Sequence, residues 1–287
     1  MEPYFTGLNI KNIGHLGLIA AVFKELKLVE RIDEMLPKTS KNVRVSHGQA
    51  VLAMVMQGLG YSNNRLYLSP DFYSQVALGT LFDEQIGDPK HLNAFTLART
   101  LDAIYEYGPV HFLSTLCMKI ITENRLLTKH IFMDTTSFYV TGKKYKNDGS
   151  IKLTHGYSKD NRADLKQLVY LLATTSDALP LYAQARSGNA TDGELFENTI
   201  LEIEHRLGKH LKDKLFVIDS SLYSKKFLQN QNIKGYWITR VPESVKDCRQ
   251  LLEKTTVTGI GKKLMTITSS FKYEASSTED VLRSGSW

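Results

Sequence analysis

Cysteine is almost absent from this sequence, and the two that occur, Cys117 and Cys248, make neither a disulfide framework nor a pair at metal-ligand spacing. Long apolar runs are absent too. No uninterrupted stretch reaches about 18 residues, so no membrane-spanning helix is expected. The opening Met1-Glu2-Pro3-Tyr4 lacks the basic-then-apolar plan of a signal peptide. Cytoplasmic residence with no membrane partner is the resulting expectation. There is no internal repeat or low-complexity segment, and no His/Cys cluster that would claim a metal. Ser137 and Cys117 lack a recognisable base arrangement, which argues against a covalent-nucleophile mechanism. An acidic balance is lacking as well: 36 Lys and Arg face 30 Asp and Glu, a formal charge of +6 and a pI near 9.1. That excess suits a polyanionic partner.

Two stretches stand out against these absences. The first, Lys129 to Val140, reads as a buried strand with one acid in its middle. Alternation sends Ile131, Met133 and Thr135 to one side, and Phe132, Asp134 and Thr136 to the other. An aspartate buried in such a run is costly unless it is paired, hydrogen-bonded or on a metal. The second, Leu215-Phe216-Val217-Ile218-Asp219, is an apolar run ending in an acid. A lone aspartate at a strand end is most often a cap or turn residue. Two acids with this plan predict one metal site that only the fold can assemble.

Before residue 129 the pattern is helical. Leu16 to Leu26 has apolar residues at helical spacing, with Pro37 stopping the turn that follows. Ser46 reads as the N-cap of a helix through Met56, apolar nearly all round and therefore expected in a core, with Met54 and Met56 as packing residues. Gly58, Gly60 and Ser62-Asn63-Asn64 break it. Further helices are expected over Ala94 to Tyr107, with Arg99 on the polar side, and from Pro109 through Ile121. A helix-turn-helix near Asn63-Asn64-Arg65 would need a recognition helix with exposed basic and amide residues. No stretch displays one clearly.

From residue 129 the pattern turns to strands. Leu165 to Thr175 and Leu179 to Ala185 form an expected hairpin about Ser176-Asp177-Ala178. Thr191 caps a helix from Asp192 to Leu207. The Asp219 strand, a short helix from Ser224 to Asn230 and a strand from Tyr236 to Arg240 follow. The order β-β-β-α-β-α-β is that of a ribonuclease-H-like α/β domain, here preceded by a mainly α-helical N-terminal domain. In that arrangement the first and fourth strands are neighbours, which brings Asp134 beside Asp219. The expected division is 1–128, 129–260 and a tail, 261–287.

The sequence here resembles the DDE transposases of bacterial insertion sequences, in particular the IS-four-like superfamily. The stretches that carry the resemblance are Met133-Asp134-Thr135-Thr136-Ser137, Gly156 to Gln167 (GYSKDNRADLKQ), Gly188-Asn189-Ala190-Thr191-Asp192, Phe216-Val217-Ile218-Asp219-Ser220 and Trp237 to Pro242. Their order and spacing match over about residues 130–242, and the helical part resembles a domain of unknown role at the start of such transposases. The resemblance implies that Asp134 and Asp219 are the first two catalytic carboxylates and metal ligands. It also implies Mg²⁺ (or Mn²⁺) as cofactor and double-stranded DNA, at insertion-sequence ends and targets, as partner, with a homodimer open. Paired carboxylates on neighbouring strands suit a hard cation that prefers oxygen ligands. The family's third acid lies in a pattern Tyr-x2-Arg-x3-Glu-x6-Lys, which this sequence lacks. Arg249 and Glu253 have the inner spacing, but Lys246 and Ile260 stand where Tyr and Lys should be. The third carboxylate is unassigned, with Glu253, Glu274 and Glu279 to be considered, and a truncation or frameshift near 260–265 is expected.

The basic segment from Lys143 to Lys166 follows the Asp134 strand directly. Lys159, Arg162 and Lys166 are its candidate DNA-backbone contacts beside the active site, and Tyr157 is a candidate for stacking on an unpaired base. Asp160 and Asp164 are expected to pair locally with these cations. Trp237 is expected in the core, and His130 and His155 in structural roles. The rival expectation is a non-catalytic DNA-binding or dimerising remnant that modulates a full-length transposase.

Overall fold

The computed structural model describes residues 11–36, 43–60, 65–83, 85–142, 149–156, 162–190, 192–208, 214–228, 235–242, 244–245, 265–267 and 273–275. Two compact units divide the chain, residues 1–112 and 113–287.

The first unit is helical where it is described. Helices α1 (Leu16–Glu25), α2 (Leu28–Met35) and α3 (His47–Leu59) lead it. At the start of α3 the Ser46 side chain accepts the Gln49 N–H, while the Gln49 side chain accepts the Ser46 N–H at 2.8 Å. This reciprocal box satisfies two donors that the first turn leaves open. Ala50, Ala53 and Met56 are buried, as the all-round apolar pattern required, whereas Met54 is only half-buried. Gly48 lets α3 cross α2 closely: a Cβ there would lie 2.2 Å from the Val29 carbonyl oxygen. Asp33 of α2 accepts the Gly48 N–H at 2.7 Å.

Short helices α4 (Ser69–Ser74) and α5 (Leu78–Leu81) and a 3-10 turn, Pro89–Leu92, follow. None of these has a readable sequence period, because each spans two turns or fewer. Helix α6 covers Ala94–Tyr107, capped by Asn93 and ended at Gly108, whose φ of +93° favours glycine. Helix α7 covers Pro109–Glu123, and the division between the units falls within it. Asn63 and Asn64 lie outside the described residues. Arg65 precedes a 3-10 turn, Leu66–Leu68.

The second unit is built on strands β1 (His130–Val140), β2 (Lys166–Thr175), β3 (Pro180–Ser187), β4 (Leu215–Ile218) and β5 (Tyr236–Thr239), with helix α8 (Asp192–Leu207) between β3 and β4. They form one mixed sheet in the order β3-β2-β1-β4-β5. β1, β2 and β3 are antiparallel in turn, while β4 runs parallel to β1 and β5 parallel to β4. This is an α/β architecture, and β1 does stand beside β4.

One face of the sheet is packed. Ile131, Met133, Leu171, Ala173, Phe216, Ile218 and Trp237 are buried on it. Helix α8 buries Leu195, Phe196, Ile200, Ile203 and Leu207, a single helical stripe. Each such side chain contributes about 1.5–3 kcal/mol by leaving water. Glu204 of α8 accepts the Gly235 N–H at 2.7 Å just before β5, which ties helix to sheet.

The opposite face corrects the expectation of a buried β1. Phe132, Asp134, Thr136 and Phe138 are exposed on it. The alternation holds along β1, but a period of two does not say whether a second layer covers the polar side.

After β5, Met265–Ile267 and Tyr273–Ala275 pair as an antiparallel two-stranded ribbon (β6, β7). No described helix is long and apolar enough to cross a membrane.

Candidate functional site

The β1–β4 ladder sets the geometry. Its last paired residues are Met133 and Ile218, so Asp134 and Asp219 are the next positions on adjacent parallel strands. Paired residues of neighbouring strands share a face, and strands lie about 4.8 Å apart. Both acids therefore sit on the open face, within reach of one ligand. They line a depression of about 390 Å³ with Phe132, Leu172, Thr174 and Val217.

Each carboxylate is braced by nearby backbone. Asp134 Oδ1 accepts its neighbour's Thr135 N–H at 2.7 Å. Asp219 is not the last residue of β4, as expected, but the N-cap of a 3-10 turn, Ser220–Leu222. Its Oδ1 accepts the Ser221 N–H at 3.0 Å and the Ser221 hydroxyl. The Thr239 hydroxyl at the end of β5 donates to the Asp219 carbonyl at 2.5 Å. The bland reading of a strand-end aspartate as a cap is thus true of Asp219, yet among the described residues the cap engages Oδ1. Arg240, which follows β5, donates to Ser220 Oγ at 3.5 Å and adds a cation beside Asp219. It lies in a stretch quoted above for resemblance, but nothing in the sequence alone singled it out.

Two oxygen donors on one open face suit Mg²⁺ or Mn²⁺, which prefer carboxylates and keep several of their waters. Among the described residues no cluster of three or more His, Cys, Asp or Glu occurs. Glu253 and Glu279 lie outside the described residues, and Glu274 falls in β7.

Around Lys152 to Gly156, Gln167 and Gly188, three chain segments form a clasp. β3 leaves β2 at the Ser187–Leu168 pair, and one residue on Thr154 bridges to Gln167. Gln167 N–H donates to the Thr154 carbonyl at 2.9 Å, and the buried Gln167 Nε2 donates to the Gly188 carbonyl at 2.9 Å. Gly188 N–H reaches the Lys152 carbonyl at 3.2 Å. The segments approach so closely that a Cβ at Gly156 would lie 1.8 Å from the Gly188 oxygen, and one at Gly188 2.1 Å from the Gln167 oxygen. The residues Gly156, Gln167 and Gly188, read as separate stretches of text, are one structural unit.

Of the expected DNA contacts, Tyr157 and Lys159 lie outside the described residues, as does Asp160. Arg162 donates through Nε and Nη2 to the two oxygens of Asp164, both at 2.9 Å. The hydrogen bond from Arg162, chiefly, holds the Asp164 carboxyl below its ordinary range. This is the local pairing expected of Asp164, and in water such a pair stabilises little. Lys166 pairs with Val140 and so shares the face of Asp134, but Asp134 pairs with Leu172. Six residues of strand separate those positions, about 20 Å. Lys166 therefore does not adjoin the acids, contrary to expectation; strand length decides this, not sequence proximity. His155 Nδ1 contacts the Ala163 carbonyl at 3.2 Å, a structural role. Trp237 is buried against Phe227, with ring centroids 5.2 Å apart.

Residues 8–118 match a family described as a domain of unknown function, DUF4277. No curated protein matches the chain. Among solved structures it is similar to a Mos1 transposase paired-end complex with the left transposon end, at 8% identity and a TM-score of 0.27, covering 80% of this chain and 78% of that one. A Mos1 mariner paired-end complex with Mn gives 8% and 0.28, with 88% and 89% covered. A piggyBac transposase synaptic complex with hairpin DNA gives 12% and 0.32; 93% of this chain spans half of that one. Likeness at this level is too slight to assign an activity.

Proposed function

We propose that this chain is a transposase of the DDE type. In this reading it cleaves phosphodiesters and transfers strands at insertion-sequence ends, with Asp134 and Asp219 holding Mg²⁺ or Mn²⁺. The observation that carries it is the juxtaposition of two acids from distant sequence at consecutive register positions of β1 and β4, on one open face. The strand order, with β1 central and β4 beside it, supports a ribonuclease-H-like domain, and the five matching stretches of sequence support the family. On this reading residues 1–128 are a helical N-terminal domain, 129–260 the catalytic domain and 261–287 a tail outside it.

When bound, divalent ions supply activation of the attacking hydroxyl and stabilisation of the leaving oxygen. The chain's own residues hold the geometry. The β1–β4 ladder fixes Asp134, and the cap on Ser221 with the Thr239 brace fixes Asp219, so little ordering remains when a ligand arrives. Arg240 supplies positive charge beside Asp219. Lys159, Arg162, Lys166 and Tyr157 are the proposed DNA contacts. The missing Tyr-x2-Arg-x3-Glu-x6-Lys pattern favours the second reading, a DNA-binding or dimerising remnant without catalysis.

Mn²⁺ titration followed by electron paramagnetic resonance tests the site on the wild-type chain, Asp134→Asn and Asp219→Asn. Each substitution is expected to weaken binding by at least about tenfold. Unchanged Mn²⁺ binding in both variants would sink the metal site. Nicking of supercoiled plasmid with Mg²⁺, lost in both variants while duplex binding persists, supports the transposase reading. Duplex binding with no nicking by the wild-type chain supports the remnant.

A further inference from the structure

Away from the acids, the first unit carries a basic pocket. A cavity of about 340 Å³ is lined by Arg44, His91, Asn93, Thr96 and Arg99, together with two valines, and no acid is among its described lining residues. Its two cations, Arg44 and Arg99, come from the loop before α3 and the second turn of α6, and His91 joins them from the 3-10 turn Pro89–Leu92. Like charges repel when gathered, so such a cluster stabilises nothing by itself. It becomes favourable when an anion joins it.

The hydrogen bonds within it point the same way. Arg44 Nη1 donates to His91 Nε2 at 2.8 Å. A guanidinium only donates, so His91 Nε2 is the acceptor there. Arg99 donates to the Phe95 carbonyl, a long 3.4 Å contact within its own helix. Neither arginine meets a carboxylate among the described residues. Asp88, three residues before His91, turns Oδ1 to the Lys90 N–H at 2.9 Å, and Asp102, one turn beyond Arg99 on α6, is not among the residues that line the pocket. Two guanidiniums bonded to neutral acceptors would each gain a stronger, charge-assisted bond from a phosphate oxygen.

The surface beside the pocket extends it. Phe95 and Tyr105 are 82% and 76% exposed. With Arg99 and Asp102 they occupy positions three to four residues apart, one stripe of α6. Exposed aromatic rings next to a phosphate clamp offer apolar contact to the deoxyribose that flanks every phosphodiester of a duplex.

We infer that the Arg44–His91–Arg99 pocket is a phosphodiester clamp, through which the helical unit grips duplex DNA independently of Asp134 and Asp219. The inference rests on the DNA-acting part of the function proposed above, not on the metal site. Its contacts are to backbone, so it confers affinity and salt sensitivity without reading sequence.

The test is fluorescence anisotropy of the full chain with a labelled duplex of arbitrary sequence, between about 50 and 200 mM NaCl. Arg44→Ala/Arg99→Ala is expected to bind about tenfold more weakly, with a log K versus log salt slope shallower by about 2. A matched loss of two exposed charges, Lys11→Gln/Lys129→Gln, should change the slope far less. Equal effects of the two pairs, or none from the arginine pair, would overturn the clamp. Circular dichroism checks folding, and Arg44→Gln/Arg99→Gln replaces the alanine pair if that fails to fold. A wild-type melting temperature raised by inorganic phosphate, with duplex affinity untouched by the arginine changes, identifies a free-phosphate pocket and overturns the DNA reading. Asp134→Asn in parallel keeps the two proposals apart, since it should abolish nicking and leave this slope unchanged.

Discussion

At the scale of single residues, glycines and polar caps decide more than large side chains do. Gly48 and Gly188 sit where a methyl group would meet backbone oxygen at 2.2 and 2.1 Å. Backbone cannot swing aside as a flexible side chain can, so alanine at either position forces segments apart. A thermal melt should show each variant destabilised by about 1–3 kcal/mol or more; Gly58→Ala, where nothing lies within 4 Å, should be neutral or slightly stabilising. Equal melting of all three would mean the close approaches are relaxed in solution. Cys117 supplies a chemical probe: burial pushes its thiol up to about 11. In a Cys248→Ser background, alkylation of Cys117 should stay slow at pH 8 and accelerate as pH rises toward 11. The sign for stability follows. The neutral thiol is favoured in the folded state, so its contribution is intact below an ordinary thiol pKa and is lost as pH rises through the folded value.

At the scale of elements, much was legible because the signals are local. The Ser46 box, the Asn93 cap and the period of α6 mark helix boundaries within a few residues of themselves, and helices α6 and α8 run as the sequence implied. The clasp was not legible. Gln167 spends its side chain on Gly188, 21 residues away, and no period or cap announces such a bond. Gln167→Ala would leave the buried Gly188 carbonyl without that donor and should cost about 1–3 kcal/mol. Because the clasp also holds the segment at Lys152, whose carbonyl accepts the Gly188 N–H, cleavage by trypsin at Lys152 should quicken in that variant. Ser46→Ala, at about 1 kcal/mol, should lower stability without changing that cleavage. If both variants cleave alike, the clasp does not hold the segment.

At the scale of the whole molecule, the two compact units carry separate buried sets, Ala50, Met56, Tyr73 and Leu97 in one and Ile131, Leu171, Phe196 and Phe216 in the other. Calorimetry is expected to resolve two transitions. Fluorescence of Trp237, with Trp287→Phe removing the other indole, should follow only one of them. A single transition seen identically by both methods would mean one cooperative body.

The sequence by itself determined which residues alternate along β1, where α6 and α8 begin and end, and that Asp134 and Asp219 each close or interrupt an apolar strand. Those features rest on backbone periodicity and capping, which act over a few residues. Only tertiary structure decided that the Asp134 face stands open, that Asp219 caps a turn through Oδ1, and that Lys166 stands about 20 Å along the sheet from the acids. It alone joined Arg44, His91 and Arg99 around one cavity. Burial, register and charge clustering depend on which remote segment arrives beside a residue, and a linear pattern carries no measure of that.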